Sequence, residues 1–276
     1  MDGSKAAPGR PDGRTLSVVK LGGSILTRKQ AAERLRPKIL ARLAEEIARA
    51  PGPLVLLHGA GSFGHPGALR FGLATAPAQA GKERERARGA AIVSTEVRRL
   101  HLAVLRGLVA AGARPWSVPA ATIAQNREGL LAEIELASFQ EALADGMVPV
   151  SFGDVVPDSA WGWSILSADT IAIELARRLP VRRVLFVSDV PGVLEPGAGR
   201  RPTIVPEVTP SVVARLSARA GGPDVTGGIR GKAAAMLEIA RLGADAGLIS
   251  GLKDGLLSRA LRGDSVPGSW VRATSQ

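Results

Sequence analysis

The sequence predicts an α/β fold built on a mostly parallel sheet, and three observations carry that expectation. Strand-like and helix-like segments alternate along most of the chain, the order that crossover connections give a parallel sheet. Several strand segments are unbroken apolar runs, Leu54-Val55-Leu56-Leu57 among them, as suits strands covered on both faces. Glycine-rich turns follow these runs directly, at the carboxyl ends where open α/β sheets hold ligands.

Each element has its own signal. Met1 to about Arg14 is rich in proline, glycine and charge and reads as a disordered leader. Residues 15–276 read as a single domain, with no internal repeat and no clear linker. Leu16 to Leu21 is the first strand, running into Gly22-Gly23-Ser24. Ile39, Leu40, Leu43, Ile47 and Ala48 form a helical stripe that Pro51-Gly52-Pro53 ends. The second strand, Leu54 to Leu57, leads through His58-Gly59-Ala60-Gly61-Ser62-Phe63-Gly64-His65-Pro66 into a helix-compatible segment. After a loop with Pro77 and Gly81, a long helix is expected from about Glu85 to Ala111, because Ile92, Val93, Val97, Leu100, Val104, Leu105 and Leu108 recur at spacings of three and four.

Beyond it, Trp116 to Val118 reads as a short strand, Ser138 to Ala144 as a helix and Met147 to Phe152 as a strand. Ser159 to Trp163 has the look of a hairpin tip, and a helix follows to about Leu179, with Ser167 or Asp169 as its cap. Arg183 to Ser188 is a further buried strand, ending at Asp189-Val190-Pro191-Gly192. Asp224 to Lys232 enters a helix that continues through Leu242, and Ala246 to Gly251 and Ser269 to Arg272 read as the closing strands.

The chemistry lies in the turns. Gly59, Gly61 and Gly64 allow the backbone to approach a ligand closely with N–H groups turned toward an anion, and a plain strand-to-helix turn would use the same glycines. His65 separates the two readings, since an imidazole among glycines can donate a hydrogen bond to a phosphoryl oxygen while a structural turn has no use for one. Lys20 ends a buried strand before two glycines and a serine, which pairs a cation with a backbone cradle. Lys29 lies near enough to return to the same anion if the segment between loops back. Gly227 and Gly228 precede a helix with Lys232 one turn inside, a second phosphate-type station. Together these glycine-flanked cations suit transfer of a phosphoryl group, which needs alignment and cancellation of charge more than covalent chemistry. An acceptor that is itself a phosphate is already an anion, so a histidine would orient it rather than deprotonate it.

Composition narrows the alternatives. The chain has 276 residues, no cysteine and three scattered histidines, His58, His101 and His65, which excludes disulfides, thiolate catalysis and cysteine-bound metals and gives no zinc pattern. Any metal is expected to arrive with the substrate. No apolar run approaches the roughly 20 residues of a membrane span, and the N-terminus is not signal-like, so a cytoplasmic protein without membrane partners is expected. The net charge of +11 could reflect nucleic acid or an anionic small substrate. Most arginines, however, are mixed with acids, as in Lys82-Glu83-Arg84-Glu85-Arg86, and aromatics are only 3%. That composition argues against stacking platforms and a nucleic-acid partner.

With these segments in view, the chain resembles the amino acid kinase superfamily and, within it, the isopentenyl phosphate kinase branch. The resemblance runs from about Ser17 to Arg272. It rests on Lys20-Leu21-Gly22-Gly23-Ser24 with Thr27 and Lys29, on the run from His58 to Pro66, and on Gly153-Asp154-Val155-Val156. It rests also on Ser164 to Asp169, on Ser188 to Val193, and on Asp224 to Gly228 with Lys232. The segment Gly61-Ser62-Phe63-Gly64-His65 is what points to the isopentenyl phosphate branch.

The resemblance implies an open αβα sandwich, usually dimeric. Its N-terminal lobe (about 15–180) would bind the acceptor and its C-terminal lobe (about 181–276) would bind ATP with Mg²⁺. It further implies that Lys20, Gly22, Gly23, Ser24 and Gly61 contact ATP phosphates, with Asp189, Gly228 and Lys232 on the nucleotide. Lys29 would stabilise the moving phosphoryl group and Asp169 would organise the lysines. Ala60, Gly64, His65 and Ala168 would bind isopentenyl phosphate. Two departures stand out: Ser167-Ala168-Asp169-Thr170 where the family usually reads Ser-Gly-Asp-Asp, and Pro191 where it usually has an acid. They bear on the acceptor tail and the nucleotide base more than on the reaction. A fosfomycin-type phosphonate kinase and a non-catalytic, nucleic-acid-binding regulator on the same fold are the alternatives.

Overall fold

The computed structural model describes residues 15–28, 34–77, 83–196, 202–218 and 228–274. The leader, Lys29 and Asp224 to Gly227 lie outside them. In the N-terminal half the elements are β1 (Leu16–Leu21), α1 (Gly23–Leu26), α2 (Pro37–Ala48), β2 (Leu54–His58), α3 (His65–Arg70), α4 (Glu83–Ala110), β3 (Pro115–Ser117), α5 (Ala120–Ile123), β4 (Ala124–Arg127), β5 (Leu130–Ile134) and α6 (Ala137–Ala144). There follow β6 (Val148–Phe152), β7 (Asp154–Asp158), β8 (Gly162–Leu166), α7 (Ala168–Arg178), β9 (Val181–Ser188), β10 (Leu194–Pro196), β11 (Pro202–Ile204), α8 (Pro210–Ala218), α9 (Gly228–Arg241), β12 (Asp245–Ser250), α10 (Leu256–Arg262) and β13 (Ser269–Val271). The expected strands and the long helix are present, with ends shifted by a few residues.

Seven strands form one sheet in the order β13-β12-β9-β1-β2-β6-β3. Every pairing is parallel except β12 with β13. β1 is central because its apolar residues are buried on both faces, and it pairs with β2 on one side and with β9, from late in the chain, on the other. Lys20 therefore lies in register with Leu57 and Phe186, and Leu21 with His58 and Val187. The turns after β1, β2 and β9 open together at a switch point, where the polypeptide leaves a crevice.

Side-chain alternation along the strands divides the core in two. Val18, Val55, Leu57 and Phe186 pack with Ile171 and Leu175 of α7 and Met236 and Ile239 of α9. Val19, Leu21, Leu56 and Val187 pack with Leu43 of α2, Leu100 and Val104 of α4 and Leu257 of α10. Helices thus cover both faces, giving the open αβα sandwich. A third cluster, including Ala68, Val93, Val97, Phe152 and Val155, lies beside the mouth of the crevice.

A second sheet, β5-β4-β7-β8, contains a hairpin that the sequence pattern does not reveal. Its turn places Glu128 at φ +53° and Gly129 at φ +75°, the doubly positive arrangement that normally favours Asn-Gly. Asp158 holds that turn by accepting from Glu128 N–H at 3.1 Å and Gly129 N–H at 2.8 Å. Helices α8 and α10 and the small β10–β11 pair are likewise absent from the sequence reading.

Candidate active site

β1 carries Lys20 to the carboxyl edge of the sheet, and the chain turns at once into Gly22-Gly23. The turn after β2 is packed directly against it. A Cβ at Gly23 would stand 2.3 Å from Gly61 N, so only glycine allows the two backbones to touch there. Gly61 adopts φ +53°, and a Cβ there would stand 2.3 Å from Thr27 Oγ1, so its glycine is required twice. His65 opens α3, partly exposed, after Gly64 has closed against Val97 of α4.

Asp169 is the electrostatic centre. Its carboxylate meets Lys20 Nζ at 2.7 Å and Lys232 Nζ at 3.7 Å, though the lysines are separated by most of the chain. Burial pushes the Asp169 pKa up, but the ammonium groups of Lys20 and Lys232 outweigh it and hold the carboxyl below its ordinary value. The cap of α7 is Ser167, whose hydroxyl accepts from Thr170 N–H at 3.0 Å, which leaves Asp169 for the lysines. The Thr170 hydroxyl bonds the same cap hydroxyl at 2.9 Å. At the end of β9, Asp189 accepts from Ser24 Oγ at 2.6 Å and Ser188 Oγ at 3.2 Å, tying the first glycine turn to the third strand end.

These residues line one cavity of about 560 Å³. Its wall includes Lys20, Gly22, Gly23, Ser24, Ala60, Gly61, Gly64, His65, Ala168, Asp169, Asp189, Gly228 and Lys232, which are all the residues given a site role by the resemblance except Lys29, outside the described residues. One side is polar, around the lysines. The other is apolar, with Ala68 and Leu69 from α3, Val93 and Val97 from α4, and Val155 and Ile165 from β7 and β8.

Other groups in and under this wall carry no sign of their role in the sequence. Asp154 is fully enclosed and pairs with Arg98 at 3.3 Å. His58 and His101, scattered in sequence, are stacked neighbours whose ring nitrogens lie 3.1 Å apart. Burial, with a smaller effect from the neighbouring imidazole, pushes His58 down to about 3, and burial together with Arg98 pushes His101 down to about 4. Both are neutral at pH 7. His58 Nδ1 lies 3.2 Å from Gly59 O, so a single proton order fits: His58 Nδ1–H donates to Gly59 O, His101 Nδ1–H to His58 Nε2, and the Ser117 hydroxyl to His101 Nε2 at 2.7 Å. A pair of imidazoles thus props the glycine turn from beneath. Among the described residues no group of three or more His, Asp or Glu side chains could hold a metal, and none of their helices is long and apolar enough to cross a membrane.

A sheet whose central strand ends in a lysine-glycine turn, facing a second glycine turn and an acid that gathers two lysines, defines a class of phosphate-handling α/β enzymes. The sequence profile of the amino acid kinase family matches residues 15–249, and the chain belongs to that family. Within it, the chain is similar to the isopentenyl phosphate kinase of Methanothermobacter thermautotrophicus, at 33% identity over 92% of this chain and 98% of the relative. It is similar also to that of Haloferax volcanii, at 34% identity over 94% and 99%. A crystal structure of an isopentenyl phosphate kinase superposes with a TM-score of 0.79 at 28% identity, covering 93% of this chain and 100% of the other.

Proposed function

We propose that this protein transfers the γ-phosphoryl group of ATP to isopentenyl phosphate, releasing ADP and isopentenyl diphosphate. The observation that carries this reading is the convergence of Lys20 and Lys232 on Asp169 inside a cavity that also holds His65 and an apolar wall. The relatives named above support it.

In this reading Lys20 and the N–H groups of Gly23, Ser24 and Gly61 hold the ATP phosphates, while Gly22, whose own N–H is donated to Val187 O at 2.8 Å, anchors the turn beside them, and Gly228 with Lys232 holds the nucleotide's phosphate tail. Asp189 contacts the nucleotide. Ala60, Gly64, His65 and Ala168 hold the acceptor phosphate, and the five-carbon tail lies along Leu69, Val93, Val97 and Ile165. The acceptor oxygen is already anionic, so no side chain has to remove a proton, and His65 donates a hydrogen bond that fixes its direction. The lysines draw off charge as the bond to the β-phosphate oxygen breaks and the new P–O bond forms. Asp169 holds the two ammonium groups in place, and Lys29 is assigned to the transferring group.

Mg²⁺ fits as a companion of the nucleotide. Asp169 is engaged by lysines and Asp189 by hydroxyls, so the ion would be held chiefly by phosphate oxygens, where it supplies further charge cancellation. We assign the protein to the cytoplasm and to a homodimer. Leu102 and Val109, one heptad apart on α4, and Trp116 on the β3 edge are exposed, an apolar set a second copy would cover. Sedimentation at the monomer mass would remove that last assignment.

The test is an acceptor panel with ATP and Mg²⁺. Isopentenyl phosphate should be consumed at least ~100-fold more efficiently than fosfomycin, because a small polar phosphonate leaves the apolar wall unfilled. Preference for fosfomycin, or no turnover of either, would contradict the assignment.

A further inference from the structure

Besides the backbone bond from Gly59 N–H to Leu21 O at 2.9 Å where the turns begin, one side-chain hydroxyl joins the two glycine turns. Thr27, fully buried and on the wall of the cavity, donates from Oγ1 to Gly23 O at 2.8 Å and accepts from Ser62 N–H at 3.0 Å. Gly23 belongs to the turn read here as the donor cradle, and Ser62 to the turn read as the acceptor cradle. Close contact of the backbones holds them apart, because Gly23 and Gly61 already touch. The hydroxyl sets the opposite limit: Gly23 O also accepts from Thr27 N–H at 2.9 Å, but only a group that both donates and accepts can tie that carbonyl to the Ser62 N–H of the other turn.

We infer that Thr27 is a positioning residue that fixes the distance and angle between the two phosphates. This rests on the functional reading above. Thr27 touches neither phosphate in this role. It acts through the backbone of Gly23 and Ser62, so its loss should slow the chemical step while each substrate is still bound by its own intact turn. In-line transfer is sensitive to such errors, and a displacement near 1 Å costs roughly 100-fold. The threonine methyl group cannot substitute for the hydroxyl, so the isosteric valine removes the bridge and preserves the volume.

The experiment compares wild type, Thr27→Val and Thr27→Ser. Valine should lower kcat about 10- to 100-fold with KM for ATP and for isopentenyl phosphate within about 3-fold, and serine, which restores the hydroxyl, should recover most of the loss. A second readout needs no turnover. The Ser62 amide proton, held by Thr27 Oγ1, should exchange with solvent at least ~10-fold faster in Thr27→Val than in wild type and Thr27→Ser, provided the far-ultraviolet spectrum shows the fold is kept. Unchanged kcat in the valine variant, failure of serine to rescue it, or Ser62 exchange as slow in valine as in wild type would each overturn the inference. If wild-type protein phosphorylates no isopentenyl phosphate, the functional reading falls by itself and the amide readout decides the role of Thr27.

Discussion

Asp154 sits on the cavity wall with its side chain wholly enclosed. Burial pushes its pKa up to about 6, against the opposing pull of Arg98 and of the Val155 N–H. Because the folded value lies above the unfolded one, the native state holds the proton longer than the unfolded chain does, and stability falls as pH rises from about 4 to about 6. Asp154→Asn has no such titration. Its stability relative to wild type should therefore improve by roughly 2–3 kcal/mol between pH 4 and pH 7 in urea unfolding, and an equal difference at both pH values would refute this. Legibility at this scale follows from locality. Lys20, His65 and Lys232 stand out because glycines flank them in the chain. Asp154 with Arg98, His58 with His101, and Thr27 with Ser62 acquire meaning only from partners 56, 43 and 35 residues away, which no local pattern encodes.

At the scale of elements, apolar runs and three-four spacing are what made β1, β2, β9 and α4 readable. The β4–β5 hairpin has mixed polarity and turns on Glu128 rather than asparagine, so its signal lies in a remote acid. Asp158 accepts from the N–H groups of Glu128, Gly129, Ala160 and Trp161 and from Ser164 Oγ at 2.7 Å. Burial raises its pKa, but the Gly129 N–H, the Ser164 hydroxyl and the Trp161 and Ala160 N–H groups outweigh it and hold the carboxyl at about 2. The folded value is the lower one, so this stabilisation is present above about pH 4 and is lost as pH falls through about 2. Asp158→Ala should cost about 2–4 kcal/mol at pH 7, because several donors lose their acceptor at once, and the deficit should shrink at pH 2. A thermal midpoint within 1 °C of wild type at pH 7 would contradict it. The β7–β8 hairpin is the element that would loosen, and with it the Ile165 side of the cavity.

At the scale of the whole molecule, alternation of strand and helix announced the parallel sheet, but strand order did not follow from it. That β1 is central, and that β9 from late in the chain lies beside it, is decided by which strands can be buried on both faces. The placement matters because it brings Ser24 to Asp189 and Lys20 to Lys232 through Asp169. The proposed donor and acceptor halves therefore share one sheet rather than meeting across a linker. With a single cavity proposed for both phosphates, each side should fail separately. His65 is assigned here to the acceptor side alone, so its removal should leave the nucleotide side intact.

The most direct measurement is formation of isopentenyl diphosphate from ATP and isopentenyl phosphate, followed by phosphorus resonance in wild type and His65→Ala. We expect product in wild type. For the variant we expect at least ~100-fold lower kcat/KM for isopentenyl phosphate with ADP affinity unchanged, as loss of a hydrogen bond to a charged group in an enclosed site implies. No product in wild type, or undiminished turnover without the imidazole, would contradict the account.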